Sequence, residues 1–244
     1  MTNKYIYFVA NWKMFGNLRS LYSLNKVISF TKKYKRNKFK LIYCPPNTLI
    51  SPLKDKLKSS SIDIGAQNCH ESENFGANTG QVNSNMLKDV GAKYVIIGHS
   101  ENRQLGESDN LINFKIKSSI KSGLKVIFCI GETLAQKRKK KTKKILSRQI
   151  MHGLKKVKNK KNILIAYEPV WAIGSGLIPN ETEIFEITNF IKNKVKGSKV
   201  LYGGSVNPKN IKLLKKINNV DGFLIGGASQ NSNNFIDIIK KTFN

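Results

Sequence analysis

The feature that most constrains the fold is the alternation of short apolar segments with amphipathic segments along the whole chain. Each apolar segment has four to six residues and is rich in β-branched or aromatic side chains. This pattern predicts strands that are buried on both faces. Eight strands are predicted, at residues 5–10, 40–44, 62–66, 94–97, 125–130, 163–167, 199–202 and 222–225.

Helices are predicted between the strands, because apolar residues there recur at helical spacing. The predicted helices cover residues 18–34, 111–122, 134–157, 181–196, 208–217 and 235–242. Asn180 and Pro208 are expected to mark two of the helix starts. The lysine-rich run at residues 137–144 lies inside one of these predicted helices and is expected to form an exposed face.

The order of strands and helices defines the fold class. Strict alternation implies parallel strands joined by right-handed crossovers, and eight units can form an open doubly wound sheet or a closed barrel. No GxGxxG motif follows the first strand, and no break in composition divides the chain. We therefore expect an α/β protein with a single (β/α)8 barrel, the TIM-barrel fold, in one catalytic domain spanning residues 1–244.

The net charge, the apolar content and the cysteines indicate which partners and which cellular location suit this chain. The net charge is +28, but only five of the 43 basic residues are arginine, and the lysines are spread along the chain. Nucleic-acid surfaces use arginine for phosphates and base stacking, so nucleic acid is an unlikely partner, although secondary polyanion or RNA binding stays open. No apolar stretch approaches the roughly 18 residues of a membrane span. Three cysteines without a CxxC pair favour a cytoplasmic protein.

In such a barrel the chemistry lies in the loops that follow the strands. Glu168 follows a buried strand, where a carboxylate is costly unless it is a base or part of a salt bridge. His99 also follows a strand and is either a functional residue or a hydrogen-bonded core residue. Lys13 can attract a phosphate or be a solvated surface lysine. The polar or glycine residues at these strand ends are Asn11, Lys13, Asn68, His99, Glu101, Glu132, Glu168, Ser205, Gly226 and Gly227.

Glycine pairs after the last two predicted strands, at residues 203–204 and 226–227, indicate a phosphate site. Glycine allows backbone N–H groups to approach a ligand, and barrels often bind phosphate at these two loops. A third glycine segment, at residues 173–176, follows Glu168. The three histidines are not at metal-ligand spacing, so no metal is expected.

Six segments, taken together and in order, resemble the triosephosphate isomerase family. They are residues 11–14 (NWKM), 98–101 (GHSE), 129–132 (CIGE), 166–174 (AYEPVWAIG), 202–207 (YGGSVN) and 226–229 (GGAS). The resemblance spans nearly the whole chain, and the run around Glu168 is its most specific part. It implies a cofactor-free isomerase that interconverts dihydroxyacetone phosphate and glyceraldehyde 3-phosphate in glycolysis and gluconeogenesis.

The resemblance also implies the role of each site residue. Following what is known of this family, Glu168 moves the proton and His99, as a neutral imidazole, polarises the carbonyl. Glu101, Ser100 and Tyr202 are expected in supporting positions. The residues expected to bind substrate are Asn11, Trp12, Lys13, Gly174, Ser205, Gly226 and Gly227.

Two loops are assigned by the same resemblance. Residues 169–179 form a lid, and residues 71–82 form a protruding loop through which a homodimer is expected, with Thr79 as the contact residue. Pro179 departs from the family, where Tyr202 bonds to a backbone N–H at this position, because proline has no N–H. The alternatives are another phosphate-binding barrel enzyme, such as a sugar-phosphate epimerase or an indole-forming enzyme.

Overall fold

The computed structural model describes residues 5–34 and 39–243, which contain a closed barrel of eight parallel strands in chain order. The last strand pairs with the first, and Ala10 lies opposite Ile225. The predicted (β/α)8 architecture is confirmed, and no strand end differs from its prediction by more than one residue. The strands are β1 (Ile6–Asn11), β2 (Phe39–Cys44), β3 (Asp63–Ala66), β4 (Tyr94–Ile97), β5 (Lys125–Ile130), β6 (Ile163–Tyr167), β7 (Lys199–Tyr202) and β8 (Gly222–Ile225).

Helices connect consecutive strands around the outside of the barrel. They are α1 (Leu24–Lys33), α2 (Ile50–Leu57), α3 (Ser84–Asp89), α4 (Ser100–Gln104), α5 (Asp109–Lys121), α6 (Leu134–Arg138), α7 (Thr142–Gly153), α8 (Glu181–Lys194), α9 (Ile211–Leu214) and α10 (Ser232–Phe243). Asn180 caps α8 as predicted, because its side chain accepts a hydrogen bond from the backbone N–H of Glu183. The predicted start at Pro208 is wrong, since this residue lies in a turn and α9 begins at Ile211.

The lysine-rich run does not lie in one continuous helix. The predicted helix at residues 134–157 is two helices, α6 and α7, separated at Lys140, whose φ of 55° is left-handed. No glycine or proline at the break signals it in the sequence. Most of the run is exposed as expected, but Lys137 is half-buried.

The core has two layers, because each strand buries side chains on both of its faces. Side chains pointing outwards pack against the surrounding helices, and Phe8, Val126 and Ile165 belong to this layer. Side chains pointing inwards fill the barrel itself. This inner layer contains Val9, Ile42, Cys44, Tyr94, Ile96, Ile127, Cys129, Leu164, Ala166, Leu201 and Leu224.

Buried carboxylates tie the N-terminal ends of the strands together. Asp63 pairs with Lys40 at 2.5 Å and with Lys93 at 2.9 Å. Asp221 accepts a hydrogen bond from the backbone N–H of Val200 and pairs with Lys192 at 2.8 Å. Burying a carboxylate requires such partners, and these contacts close one end of the barrel. In the described part of the chain, no helix is both long and apolar enough to cross a bilayer.

Candidate active site

A cavity of about 210 Å³ opens at the C-terminal ends of the strands, where the sequence predicts the chemistry. Its size is below the roughly 300–1,000 Å³ of drug-sized ligand sites, which suits a small substrate. The predicted residues that line the cavity are Asn11, Lys13, His99, Glu168, Gly174, Ser205, Gly226 and Gly227. Strands distant in sequence therefore bring most of the predicted residues to one place.

Glu168 and His99 form the chemical centre of the cavity. The Nε2 atom of His99 lies 3.2 Å from Oε1 of Glu168, and both side chains are buried. The second carboxylate oxygen of Glu168 accepts a hydrogen bond of 3.3 Å from the backbone N–H of Ser100. A base and a hydrogen-bond donor are thus placed side by side, as acid–base chemistry on one small molecule requires.

The hydrogen bonds of His99 define which of its ring nitrogens carries the proton. The backbone N–H of Glu101 donates to Nδ1 at 3.3 Å, which assigns Nδ1 as the acceptor nitrogen of the neutral ring. In the neutral ring the proton is then on Nε2, which faces Glu168 and the cavity. Burial acts to lower the pKa of His99, but the carboxylates of Glu168 and Glu101 counteract it and leave the pKa raised overall.

Lys13 brings a positive charge to the cavity from the end of β1. Its φ of 55° is left-handed, a conformation that costs a non-glycine residue about 1–2 kcal/mol. Two side chains hold this backbone: Asn11 accepts from the Lys13 N–H at 3.1 Å, and Gln67 donates to the Lys13 carbonyl at 2.8 Å. The ammonium lies 2.5 Å from Oε1 of Glu101, so the carboxylate orients the cation.

Two glycines make room for Glu168. A Cβ atom at Gly131 would lie 1.7 Å from the carbonyl oxygen of Glu168, and one at Gly203 would lie 2.9 Å from its Cγ. The backbone N–H of Glu168 donates to Ile130 at 2.8 Å, which continues the pairing of β5 with β6 beyond the strand ends. These contacts hold the backbone of Glu168 at the rim of the barrel.

Residues with free backbone donors also line the cavity. Within residues 5–34 and 39–243, the N–H groups of Gly174, Ser205, Gly226 and Gly227 have no protein acceptor. Gly227 begins a short 3-10 helix after β8, so its N–H points out of a helix start. Free N–H groups of this kind bind phosphate without a charged side chain.

Some predicted residues lie outside the cavity, in supporting positions. Trp12 was predicted to bind substrate, but its ring is buried and packs edge-on against Tyr43, with centroids 5.8 Å apart. Asn68 is turned away from the cavity and binds Glu107 and Lys115. Thr79 is exposed in the loop at residues 71–82. Ser100 and Glu101 contact Glu168 and Lys13 as described, so they act through those residues.

Sequence reasoning missed several residues of the site. Gln67 was missed although it directly follows β3, which was the available signal; besides Lys13 it bonds to the Cys44 carbonyl at 2.9 Å. Asn207 and Leu224 also line the cavity. Leu224 lies inside a strand whose other residues are ordinary core, so no sequence pattern marks it.

Comparison with known proteins agrees with this geometry. The family model for triosephosphate isomerase matches residues 6–242. This chain belongs to the triosephosphate isomerase family. It is 44% identical to the triosephosphate isomerase of Thermodesulfovibrio yellowstonii, over 98% of this chain and 100% of the relative. It is 40% identical to that of Carboxydothermus hydrogenoformans, over 96% of this chain and 97% of the relative.

The solved structures include a triosephosphate isomerase that this chain resembles closely. The crystal structure of the enzyme from Bartonella henselae has a TM-score of 0.88 and 34% identity, covering 98% of this chain and 99% of that chain. Such agreement over the full length is consistent with the same arrangement of strands around the cavity.

The segment that the triosephosphate isomerase resemblance assigns to a lid is called here the covering segment, residues 169–179. It leaves β6 directly after Glu168 and ends just before α8, and its residues Ile173 and Gly174 line the cavity. At its far end Pro179 is buried. The buried hydroxyl of Tyr202 has no hydrogen-bond partner among the described residues.

Proposed function

We propose that this cavity interconverts dihydroxyacetone phosphate and glyceraldehyde 3-phosphate, with Glu168 as the base. The observation that carries the assignment is the 3.2 Å approach of Glu168 and His99 at a cavity that also contains Lys13. The chain's membership of the triosephosphate isomerase family supports the same reaction.

The reaction moves one proton between two carbons and one between their oxygens, and it breaks no carbon–oxygen or phosphorus–oxygen bond. Glu168 takes a proton from C1 of dihydroxyacetone phosphate, and the electron pair passes to the C2 carbonyl oxygen to form an enediolate. His99 gives its Nε2 proton to this oxygen and takes the proton of the C1 hydroxyl in exchange. Glu168 then returns the carbon-bound proton to C2, and the C1 oxygen becomes the aldehyde oxygen.

The charges around the cavity lower the barrier of the first step. A proton on carbon is weakly acidic, so the enediolate must be stabilised as it forms. A preorganised donor at a developing oxyanion contributes roughly 3–4 kcal/mol, and His99, Asn11 and the Lys13 ammonium supply such donors. In the structure His99 pairs with Glu168 and the Lys13 ammonium pairs with Glu101, and substrate replaces those two partners.

The phosphate is held by backbone donors. The free N–H groups of Gly174, Ser205, Gly226 and Gly227 belong to residues that line the cavity. Closing the covering segment over this group excludes water, which protects the enediolate from losing phosphate. Because no electrons leave the substrate and no group is transferred, we propose that the reaction proceeds without a cofactor.

Replacing Glu168 tests the assignment most directly. Glu168→Asp shortens the side chain by one methylene and withdraws the carboxylate from the carbon, so kcat should fall by about 10²-fold or more. The measurement is isomerisation of glyceraldehyde 3-phosphate coupled to glycerol-3-phosphate dehydrogenase. Glu186→Asp, the same change at an exposed position on α8, is the control and should leave kcat unaltered. A wild-type chain without turnover, or equal kcat values for the two variants, would reject the proposal.

Three further properties are proposed. We infer one catalytic domain over residues 1–244, of which residues 1–4, 35–38 and 244 lie outside the described residues. We infer a cytoplasmic protein, supported by three cysteines that are all free and buried. We also infer a homodimer through residues 71–82. Phe75 in that loop is 78% exposed and Met14, next to Lys13 in the chain, is 95% exposed, and a partner subunit packed against them would remove both side chains from water.

A further inference from the structure

Lys137 differs from the other lysines of its run because its ammonium has two specific partners. The Nζ atom lies 3.8 Å from the centroid of the Trp171 ring and 2.6 Å from Oε1 of Glu183. The side chain of Lys137 is 28% exposed, whereas the nearby Lys139 is exposed to solvent. A solvated surface charge does not have such surroundings.

One partner lies near the beginning of the covering segment, and the other lies in the helix that follows its end. Trp171 is in the short 3-10 helix Val170–Ala172, three residues after Glu168. Glu183 is in the first turn of α8, which begins directly after the segment and is capped by Asn180. One ammonium group on α6 therefore joins the beginning of the segment to the helix that follows its end.

Trp171 is also held from a second side. Its Nε1 atom donates to Oε1 of the fully buried Glu132 at 2.9 Å. The backbone N–H of Val170 donates to the Glu132 carbonyl at 3.1 Å. The indole thus has an anion at its N–H edge and a cation over its face, and both contacts are favourable.

We propose that Lys137 is a positioning residue that fixes Trp171 against α8 and thereby holds Glu168 and the covering segment in their working positions. The inference rests on the function proposed above for the cavity. Lys137 does not line the cavity, so it acts through Trp171. Trp171 is three residues from Glu168 in the chain, so a displaced indole also shifts the carboxylate. A shift of about 1 Å at a reacting group can cost 10²-fold in rate.

The first test separates kcat from KM. Lys137→Met keeps an unbranched apolar side chain, one atom shorter than that of lysine, but removes the charge. We expect kcat for glyceraldehyde 3-phosphate to fall about tenfold, and KM to change less than about twofold, because substrate contacts are untouched. Lys137→Arg should restore most of kcat, since a guanidinium group can stack on an indole and pair with a carboxylate. Lys139→Met removes the same charge from an exposed neighbour and is the matched control.

The second test does not depend on activity. Hydrogen exchange, measured by mass spectrometry, should become faster in peptides covering residues 169–180 for Lys137→Met and stay unaltered for Lys139→Met. Glu183→Gln should have a smaller effect in the same direction, and its combination with Lys137→Met should be less than additive, as expected for contacting residues. This result is expected even if the cavity acts on a different substrate, so it is independent of the proposed function.

Three outcomes would overturn the proposal. One is equal exchange in the two lysine variants, which would make Lys137 an ordinary surface charge. Another is faster exchange with unchanged kcat, which would mean that the contact does not position Glu168. The third is failure of Lys137→Arg to restore kcat, which would show that the loss does not come from the ammonium's two contacts.

Discussion

His99 is subject to opposing effects, and its neighbours decide the balance. Burial disfavours the imidazolium, while the carboxylates of Glu168 and Glu101 favour it, and the pKa of the free site is raised. In the proposed reaction substrate takes the place of Glu168 at Nε2 of His99, which removes the nearer carboxylate from the ring. The N–H of Glu101 stays on Nδ1 and keeps Nε2 as the protonated nitrogen that faces substrate.

This balance predicts a measurable pKa change at one residue. Glu168→Gln removes the nearer negative charge, so the imidazolium loses its main stabilising partner while burial continues to act against it. The pKa of His99 should therefore fall, and the ring should stay neutral to a lower pH than in the wild type. NMR titration of the imidazole signals measures this, with Glu186→Gln as a control that should leave His99 unaltered. A pKa that is unchanged or higher in Glu168→Gln would show that Glu168 is not the group that raises it.

The residues whose roles could not be predicted from the sequence depend on contacts with residues that are distant in the chain. Glu168, His99 and Lys13 follow strands, and a closed barrel brings all strand ends to one rim, so their meeting could be predicted. Lys137 and Gln67 owe their roles to partners far away in the chain, Trp171 and Lys13. Nothing in the local sequence separates Lys137 from its solvated neighbours, because the difference lies in what packs against it.

At the scale of elements, the strands were easier to predict than the helices. Strands buried on both faces are short apolar runs bounded by polar residues, and this pattern is local. The helices α2, α3 and α4 were missed because each is short and its register depends on packing against the barrel. The break between α6 and α7 was missed because Lys140 adopts a left-handed conformation that its sequence does not favour.

The junction of β5 and β6 predicts a strong effect of a small substitution. A methyl group at Gly131 would overlap the Glu168 carbonyl, which is backbone and cannot rotate away. Gly131→Ala should therefore push the two strand ends apart and lower the free energy of unfolding by about 3 kcal/mol. It should also lower kcat by more than the loss of folded protein accounts for, because Glu168 is displaced in the cavity. Urea denaturation and the coupled assay measure both.

Gly76→Ala is the matched control for this variant. Its added Cβ would meet only the Asn78 side chain, at 3.6 Å, an ordinary contact distance. The control should change the free energy of unfolding by less than about 0.5 kcal/mol. Equal stability of the two variants would mean that the rim yields freely and that Gly131 does not fix the base.

At the scale of the whole molecule, the positions of the charged residues indicate more about binding than the net charge does. Lys13 lines the cavity. Some other lysines pair with carboxylates, either at the closed end of the barrel, as Lys40 and Lys192 do, or elsewhere, as Lys115 and Lys137 do. Lysine at helix C-termini is favoured by the helix dipole, as in α1 and α8, which end in lysines. The +28 charge therefore requires no polyanionic partner, although it should attract an anionic substrate over some distance.

Assembly is the remaining property of the whole molecule. Phe75 and Met14 are too exposed to stabilise an isolated barrel, so changing them should cost the single chain little. In a homodimer the loop at residues 71–82 would pack beside the cavity of the partner and bury these side chains. Replacing a residue of this loop by lysine or arginine would then place a charge in the interface. An unpaired charge there costs several kcal/mol.

Sedimentation of Phe75→Lys and Thr79→Arg distinguishes these cases. We expect a dimer for the wild type, and monomers with reduced kcat but an intact fold by circular dichroism for both variants. Met151→Lys, on α7 and 65% exposed, changes an apolar side chain outside the proposed interface and should leave the dimer intact. If the wild type sediments as a monomer with full activity, the cavity is complete within one chain and the exposed loop has another role. If the two loop variants remain dimeric, the subunits meet through a different face, because an interface centred on this loop cannot tolerate either charge.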